Sequence, residues 1–284
     1  MNATTAALRR VFPWRVVTLD AMGTLLRPRK AIGATYVRFF QEVTRQQLSS
    51  ERVALAVAHI DRRFPLVFEQ QSARKPNFGR ATVDTNSDGG DPATAYAWWS
   101  ELILNTLPTE LSREMSDDAA RQFTSKLYAH YATGEAWHVF DDVRPTLDAL
   151  RDQNVALGVI SNFDERMDAI LRDLALREYF AIVTTSWEHG EMKPCTSIFT
   201  STFAALMHQQ KQKGFAPNVG DERYQNVLHV GDHRERDYHG ARMAGAQALW
   251  LQRRPKERFD VSPRHIIMSL ESILLAEDDS IVSM

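Results

Sequence analysis

The chain has 284 residues, 44 % hydrophobic and 25 % charged, which bounds it to one large globular domain or two smaller ones. Its formal net charge of -2 gives no reason to expect nucleic acid or an anionic membrane as a partner, and no apolar run approaches bilayer-spanning length. The single cysteine, Cys195, excludes an internal disulfide framework and a cysteine-rich zinc site, and it fits a reducing, cytoplasmic setting.

Residues 1–15 carry Arg9, Arg10 and Arg15 and no acidic residue. That composition is compatible with a short mitochondrial targeting segment, but the low serine content favours a frayed tail ahead of the first strand. Val16–Leu19 is a short apolar, β-branched run ending at Asp20, and it predicts a buried strand. Residues 29–142 then break the strand pattern. Tyr36, Val37, Phe39, Phe40 and Val43 share one helical face, and residues 98–107 and 119–131 also suit helices. Residues 82–92, rich in Asp, Asn, Ser and Gly, predict an exposed loop.

Four more strand-like runs follow, at residues 155–160, 182–185, 227–230 and 248–251. Helical patterns lie between them at 164–174 and 198–207. Strands alternating with helices predict an α/β fold, a doubly wound Rossmann-like parallel sheet. The polar stretch 209–225 reads as a surface insertion, and residues 262–276 as a final helix before a mobile end. The expected division is a core from residues 1–28 and 143–284, with a helical block from 29–142 inserted after the first strand. Composition is silent on oligomeric state.

In doubly wound sheets ligands bind beyond the carboxyl ends of the strands. The first strand ends in Asp20-Ala21-Met22-Gly23-Thr24-Leu25 and the second in Ser161-Asn162. A loop past the third holds Lys193-Pro194, and the fourth ends in Gly231-Asp232, with Asp237 five residues on. Carboxylates, a hydroxyl and an ammonium on one edge suit phosphoryl transfer. A carboxylate can attack phosphorus, while magnesium and fixed donors manage the charge on the transferring oxygens. Each motif alone has a plainer reading: a helix cap or turn for Asp20, a turn for Ser161-Asn162, a solvated side chain for Lys193. Four in this order, each at a strand end, are hard to obtain by chance.

The set resembles the four motifs of the haloacid dehalogenase-like hydrolase superfamily, over residues 15–31 and 143–253. Pro76-Asn77-Phe78-Gly79 and Trp98-Trp99 resemble one branch of it. The resemblance implies that Asp20 is a nucleophile and that Mg²⁺ is bound by Asp20, the Met22 carbonyl and Asp232, with Asp237 supporting the metal or its waters. It implies that Thr24, Ser161, Asn162 and Lys193 hold the phosphoryl group, and that the helical insertion is a cap domain. The substrate would be a small phosphorylated metabolite.

One position departs from the pattern. Phosphatases of the superfamily usually carry a second Asp where this chain has Met22, which cannot transfer a proton. Such acid–base help contributes about 10²–10⁴-fold. This leaves room for a catalytically weak or inactive member that binds a phosphate ligand or partner. True 2-haloacid dehalogenases also lack that Asp, but they lack the magnesium carboxylates as well, and Asp232 and Asp237 therefore disfavour dehalogenation. His233, Asp164, His138 and His130 are candidates for the missing proton donor. For each, a surface or capping role is the more economical reading, and Asp164 is expected to cap the following helix. Cys195 reads as a buried or half-buried thiol, and Trp98 and Trp99 as packing in the insertion.

Overall fold

The computed structural model describes residues 13–82, 94–212, 224–254 and 261–275. In chain order come β1 (Val16–Leu19), β2 (Leu26–Pro28), α1 (Ile32–Thr44), α2 (Ser50–Arg74), α3 (Tyr96–Thr106), α4 (Thr109–Arg113), α5 (Asp117–His130) and β3 (Trp137–Val139). They are followed by α6 (Val143–Asp152), β4 (Ala156–Ser161), α7 (Met167–Asp173), β5 (Ile182–Thr185), α8 (Ser186–His189), α9 (Thr196–Gln212) and β6 (Val227–Gly231). The described chain closes with α10 (Gly240–Met243), β7 (Gln247–Leu251) and β8 (Ile266–Ile267).

Six strands form one sheet in the order β5-β4-β1-β6-β7-β8, every pair parallel. β1 is buried along its whole length because both faces of the sheet are covered, which is why it reads as an unbroken apolar run. Its side chains still alternate. Val17 and Leu19 join Leu157, Val159, Leu228 and Val230 on the face covered by α6 and α7, while Val16 joins Ile160, Phe199 and Phe203 under α9. Helices on both faces make the fold the expected doubly wound α/β.

β2 and β3 pair antiparallel, Leu26 opposite Val139 and Pro28 opposite Trp137, and all of α1–α5 lies between them in sequence. Tyr36, Phe40, Ile60, Phe123 and Leu127 are the fully buried centre of that helical block. The longest helix, α2, is absent from the sequence expectations. Val53, Val57, Ile60, Phe64 and Val67 recur at helical spacing behind Ser49, whose side chain accepts from the Arg52 N–H. Pro65 in its interior hides the pattern.

Three other expectations are corrected. The helix expected from Asp164 begins at Met167, after a turn in which Asp164 Oδ1 accepts the Arg166 N–H (3.1 Å). The final helix expected over 262–276 is replaced by short 3-10 turns around β8, whose two β-branched residues extend the sheet beside β7. Residues 209–212 finish α9 instead of opening a loop. The expectations for residues 1–12, for the loop at 83–92, for 213–223 and for the chain end lie outside the described residues. No helix among the described residues is long and apolar enough to cross a membrane.

Candidate active site

β1 lies between β4 and β6, so the carboxyl ends of three neighbouring strands open onto one place. The Asp20 N–H donates to the Val230 carbonyl (2.9 Å), which ties the first loop to β6. The Ser161 hydroxyl donates to Asp20 Oδ1 (3.2 Å), and Lys193 Nζ donates to the same oxygen (2.7 Å). The ammonium also donates to Asp237 Oδ1 (2.6 Å) and to the Ile160 carbonyl (2.6 Å), so all three of its protons are engaged. Asn162 holds the lysine's backbone from both sides, its amide donating to the Lys193 carbonyl (3.0 Å) and its Oδ1 accepting the Lys193 N–H (2.7 Å).

Asp237 is equally constrained. Its second oxygen accepts the His233 N–H (3.0 Å), and its first lies 3.4 Å from His229 Nε2. An ionised carboxylate only accepts, so His229 carries its proton on Nε2 and takes the Thr18 hydroxyl at Nδ1 (2.9 Å). Burial pushes the His229 pKa down, which keeps the ring neutral. Burial also works to raise Asp237, but Lys193 and His229 outweigh it and hold its carboxyl well below the usual range. For Asp20 the balance reverses: burial raises its pKa, Lys193 only partly offsets this, and Asp237 adds to the rise. Lys193 itself is raised, since two carboxylates overcome the effect of burial.

Asp20, Asp232 and Asp237 each offer an oxygen within 4.8 Å of the others. Asp20 and Asp237 share the buried ammonium of Lys193, and Asp232 stands beside them. An all-oxygen, anionic set of this kind suits a hard divalent cation. The backbone is shaped around it. Gly23 has φ +80°, and a Cβ there would stand 2.1 Å from Asp232 Oδ2; one at Gly231 would stand 2.2 Å from the Asp237 carboxyl carbon. The residues present fit a magnesium ion.

These groups line a cleft of about 230 Å³ together with Met22, Asn162, His233 and Arg236. Of the residues expected from the sequence, Asp20, Met22, Ser161, Asn162, Lys193, Asp232 and Asp237 converge here. Thr24 does not line the cleft; it is fully buried, and its hydroxyl has no hydrogen-bond partner among the described residues. Of the candidate proton donors only His233 reaches the cleft, and its Nδ1 caps the following turn by accepting the Arg236 N–H (3.2 Å). His130 packs on Phe39 and Tyr131, and His138 on Phe140. The residue that caps α7 is Arg166 instead of Asp164, although Asp164 Oδ1 accepts the Arg166 N–H (3.1 Å) in the turn that leads into it. Asp164 is fully buried, bonded to Arg166 through both oxygens (2.8 and 2.6 Å) and to the Trp99 indole N–H (2.7 Å). Trp98 is buried as expected, but Trp99 is half-buried. Cys195 is exposed, against expectation, with Sγ 3.3 Å from Ser197 Oγ.

Arg236 and His229 were missed. Arg236 falls in the interval between Asp232 and Asp237, and its guanidinium carries no hydrogen bond or ion pair among the described residues. Its position one residue before Asp237 was the available signal.

The chain belongs to the haloacid dehalogenase-like hydrolase family, whose sequence signature matches residues 14–245. It is 31 % identical to human haloacid dehalogenase-like hydrolase domain-containing protein 3 over 268 residues, covering 93 % of this chain and 94 % of the relative. Its fold is similar to the 2-haloacid dehalogenase of Pseudomonas syringae pv. Tomato DC3000, with TM-score 0.58, 21 % identity and coverage of 93 % of this chain and 98 % of that one. It is also similar to the HAD-hydrolase YfnB of Bacillus subtilis, solved bound to magnesium, with TM-score 0.55, 16 % identity and coverage of 92 % and 96 %.

Proposed function

We propose that the chain is a magnesium-dependent phosphatase or phosphotransferase that acts on a small phosphorylated metabolite through an aspartyl-phosphate on Asp20. The observation that carries this reading is the convergence of three carboxylates, Asp20, Asp232 and Asp237, within 4.8 Å of one another, with Lys193 bonded to two of them. Halide displacement has no need of such a cluster, and the magnesium bound to the B. subtilis protein of similar fold supports the same reading.

Ser161 and Lys193 both donate to Oδ1 of Asp20, and in this reading Oδ2 is the oxygen that attacks phosphorus. The new O–P bond forms as the bond to the leaving oxygen breaks, and that oxygen takes the electron pair. Magnesium held by Asp20, Asp232 and the Met22 carbonyl, with Asp237 beside its waters, would neutralise charge on the phosphoryl oxygens. Lys193 can turn its Asp20 bond toward a phosphoryl oxygen, and the uncommitted guanidinium of Arg236 supplies a further pair of donors. Water then attacks phosphorus, restores the Asp20 carboxylate and loses its proton to solvent. Met22 helps neither step with a proton, so both are slow for a poor leaving group.

The deciding assay is hydrolysis of acetyl phosphate and p-nitrophenyl phosphate with magnesium and with chelator. Activity should require magnesium, and Asp20→Asn should lower it by about 10³-fold or more. Full activity in that variant would refute covalent catalysis at Asp20. Met22 favours one other reading, a catalytically weak protein that holds a phosphate ligand; phosphate binding without turnover of either ester would establish it. Chloride release from 2-chloropropionate would instead mark a dehalogenase.

A further inference from the structure

A second space, of about 250 Å³, adjoins the cleft. Met22, Asn162 and Arg236 line both, so a group bonded to a phosphoryl at Asp20 points past Met22 into it. Its walls come from the helical block, from β2 and β3, and from the segments after β1, β4 and β6. They are mostly rings, among them Phe64, Phe68, Phe78, Trp99, Trp137 and Phe163, with aliphatic Ile32, Ile103 and Leu127 between.

The polar groups in these walls are nearly all committed to the protein. The Trp99 N–H is bound to Asp164, the Tyr128 hydroxyl to Glu165, and both amide atoms of Asn162 to Lys193. The Arg166 guanidinium is bound to Asp164 and to the Tyr128 carbonyl. The Tyr131 hydroxyl is buried beside Thr35, and the one uncommitted charge among the described lining residues, the Arg236 guanidinium, lies at the end shared with the cleft, where it faces the phosphoryl group. A sugar or polyol would bring several hydroxyls into this space and satisfy few of them, which costs affinity. A flat apolar group loses nothing there and gains contact with the rings. An apolar cavity of about 150 Å³ takes one benzene, so this one has room for a substituted or fused pair of rings.

Met22 makes an independent demand. The residue between nucleophile and cavity is a thioether, so the leaving oxygen departs without a proton from it. A phenolic oxygen, with a pKa near 10, tolerates this far better than an alkoxide. Resting on the phosphatase reading above, we infer that the substrate is an aryl phosphate, an ester of phosphate with an apolar phenol. Asp20 Oδ2 bonds to phosphorus as the P–O(aryl) bond breaks with its electron pair on the phenolate, and the phenolate is protonated by solvent after release.

The test separates the cavity from the chemistry. 1-Naphthol, which carries no phosphate, is titrated calorimetrically into the metal-free protein, with glucose as control. Saturable binding of naphthol and none of glucose is expected. In magnesium, kcat/KM is compared for 1-naphthyl phosphate, O-phosphotyrosine and glucose 6-phosphate, with acetyl phosphate as a small ester that leaves the cavity empty. We expect naphthyl phosphate to exceed phosphotyrosine, a phenol ester carrying two extra charges, by at least about tenfold, and glucose 6-phosphate by more. Ile32→Trp, which projects a ring into the cavity, should abolish naphthol binding while its melting temperature shows it folded.

Turnover of acetyl phosphate with equal kcat/KM for the three larger esters would overturn the aryl assignment and leave the phosphatase reading standing. No turnover of any ester, acetyl phosphate included, would overturn both. Unchanged naphthol affinity in a folded Ile32→Trp would overturn the cavity as its site.

Discussion

Asp164 and Asp20 are both buried carboxylates near the carboxyl edge of the sheet, and each faces a buried cation. Around Asp164 the charges match. Arg166 meets it with two side-chain donors and its own N–H, Trp99 fills a fourth direction, and the guanidinium lies over the Tyr128 ring at 4.0 Å. This pair joins the loop after β4 to α3 and α5. Around Asp20 one lysine serves two carboxylates with a third close by, a crowding of like charge that a bound cation would relieve. A buried ion pair that closes on itself holds structure together, whereas one left out of balance can respond to what binds.

The comparison breaks most sharply under substitution. Asp164→Ala strands the Arg166 charge and should cost about 3–5 kcal/mol, read from urea unfolding. Asp20→Asn should leave the metal-free protein as stable as before or more so, because it relieves a carboxyl whose pKa burial raises. A stability loss at Asp20 equal to that at Asp164 would erase the distinction. Next in size, Asp232→Asn should weaken magnesium binding by about 10²-fold with little change in unfolding, measured by calorimetric titration. An unaltered magnesium affinity would remove Asp232 from the ligand set.

Met22→Asp sharpens the same contrast by adding charge to the unbalanced side. It should accelerate p-nitrophenyl phosphate turnover by about 10-fold and alkyl phosphates by more, toward the 10²–10⁴ that acid–base help supplies. Equal or lower rates in a folded, magnesium-bound variant would show that another group already moves the proton. The smallest effect belongs to a third carboxylate, Asp142. Burial works to raise its pKa, but Arg253 (2.9 Å at both oxygens), the Leu270 N–H and the Ser269 hydroxyl together lower it. A depressed folded pKa adds stability above the unfolded value of about 3.9, and that stability is lost as pH falls through the folded pKa. Asp142→Asn should therefore be less stable than the parent at pH 6 and should converge on it in acid. A constant difference down to pH 2 would contradict the assignment.

What was legible in the sequence follows from how local each feature is. β1 and β6 announce themselves as runs of Val and Leu, and strand ends are where chemistry gathers, so Asp20, Ser161, Lys193 and Asp232 could be singled out unaided. The fate of Asp164 could not, because its partner Trp99 is 65 residues away and Tyr128 stacks on the same arginine from α5. A two-residue strand such as β8 has no period to detect, and its existence depends on β7 having an open edge. Arg236 sits among Arg234, Glu235 and Asp237, and only the turn they form decides which guanidinium pairs with Glu235 and which faces the cleft.

The strand order has a consequence for synthesis. β1 is among the first described elements to leave the ribosome, yet both of its neighbours come much later: Thr18 and its β6 partner His229 are 211 residues apart. At roughly 5–20 residues per second, about 10–40 s pass before β6 can dock beside β1. Until then β1 has an uncovered edge, the kind of surface that pairs wrongly with other chains. The bond that anchors Asp20 to Val230 and the carboxylates that follow β6 arrive together at the end of that wait. A nascent chain stalled before residue 227 would therefore carry the nucleophile with Ser161 and Lys193 but without its Val230 anchor, Asp232 or Asp237, and its exposed β1 edge would be the place for a chaperone to hold.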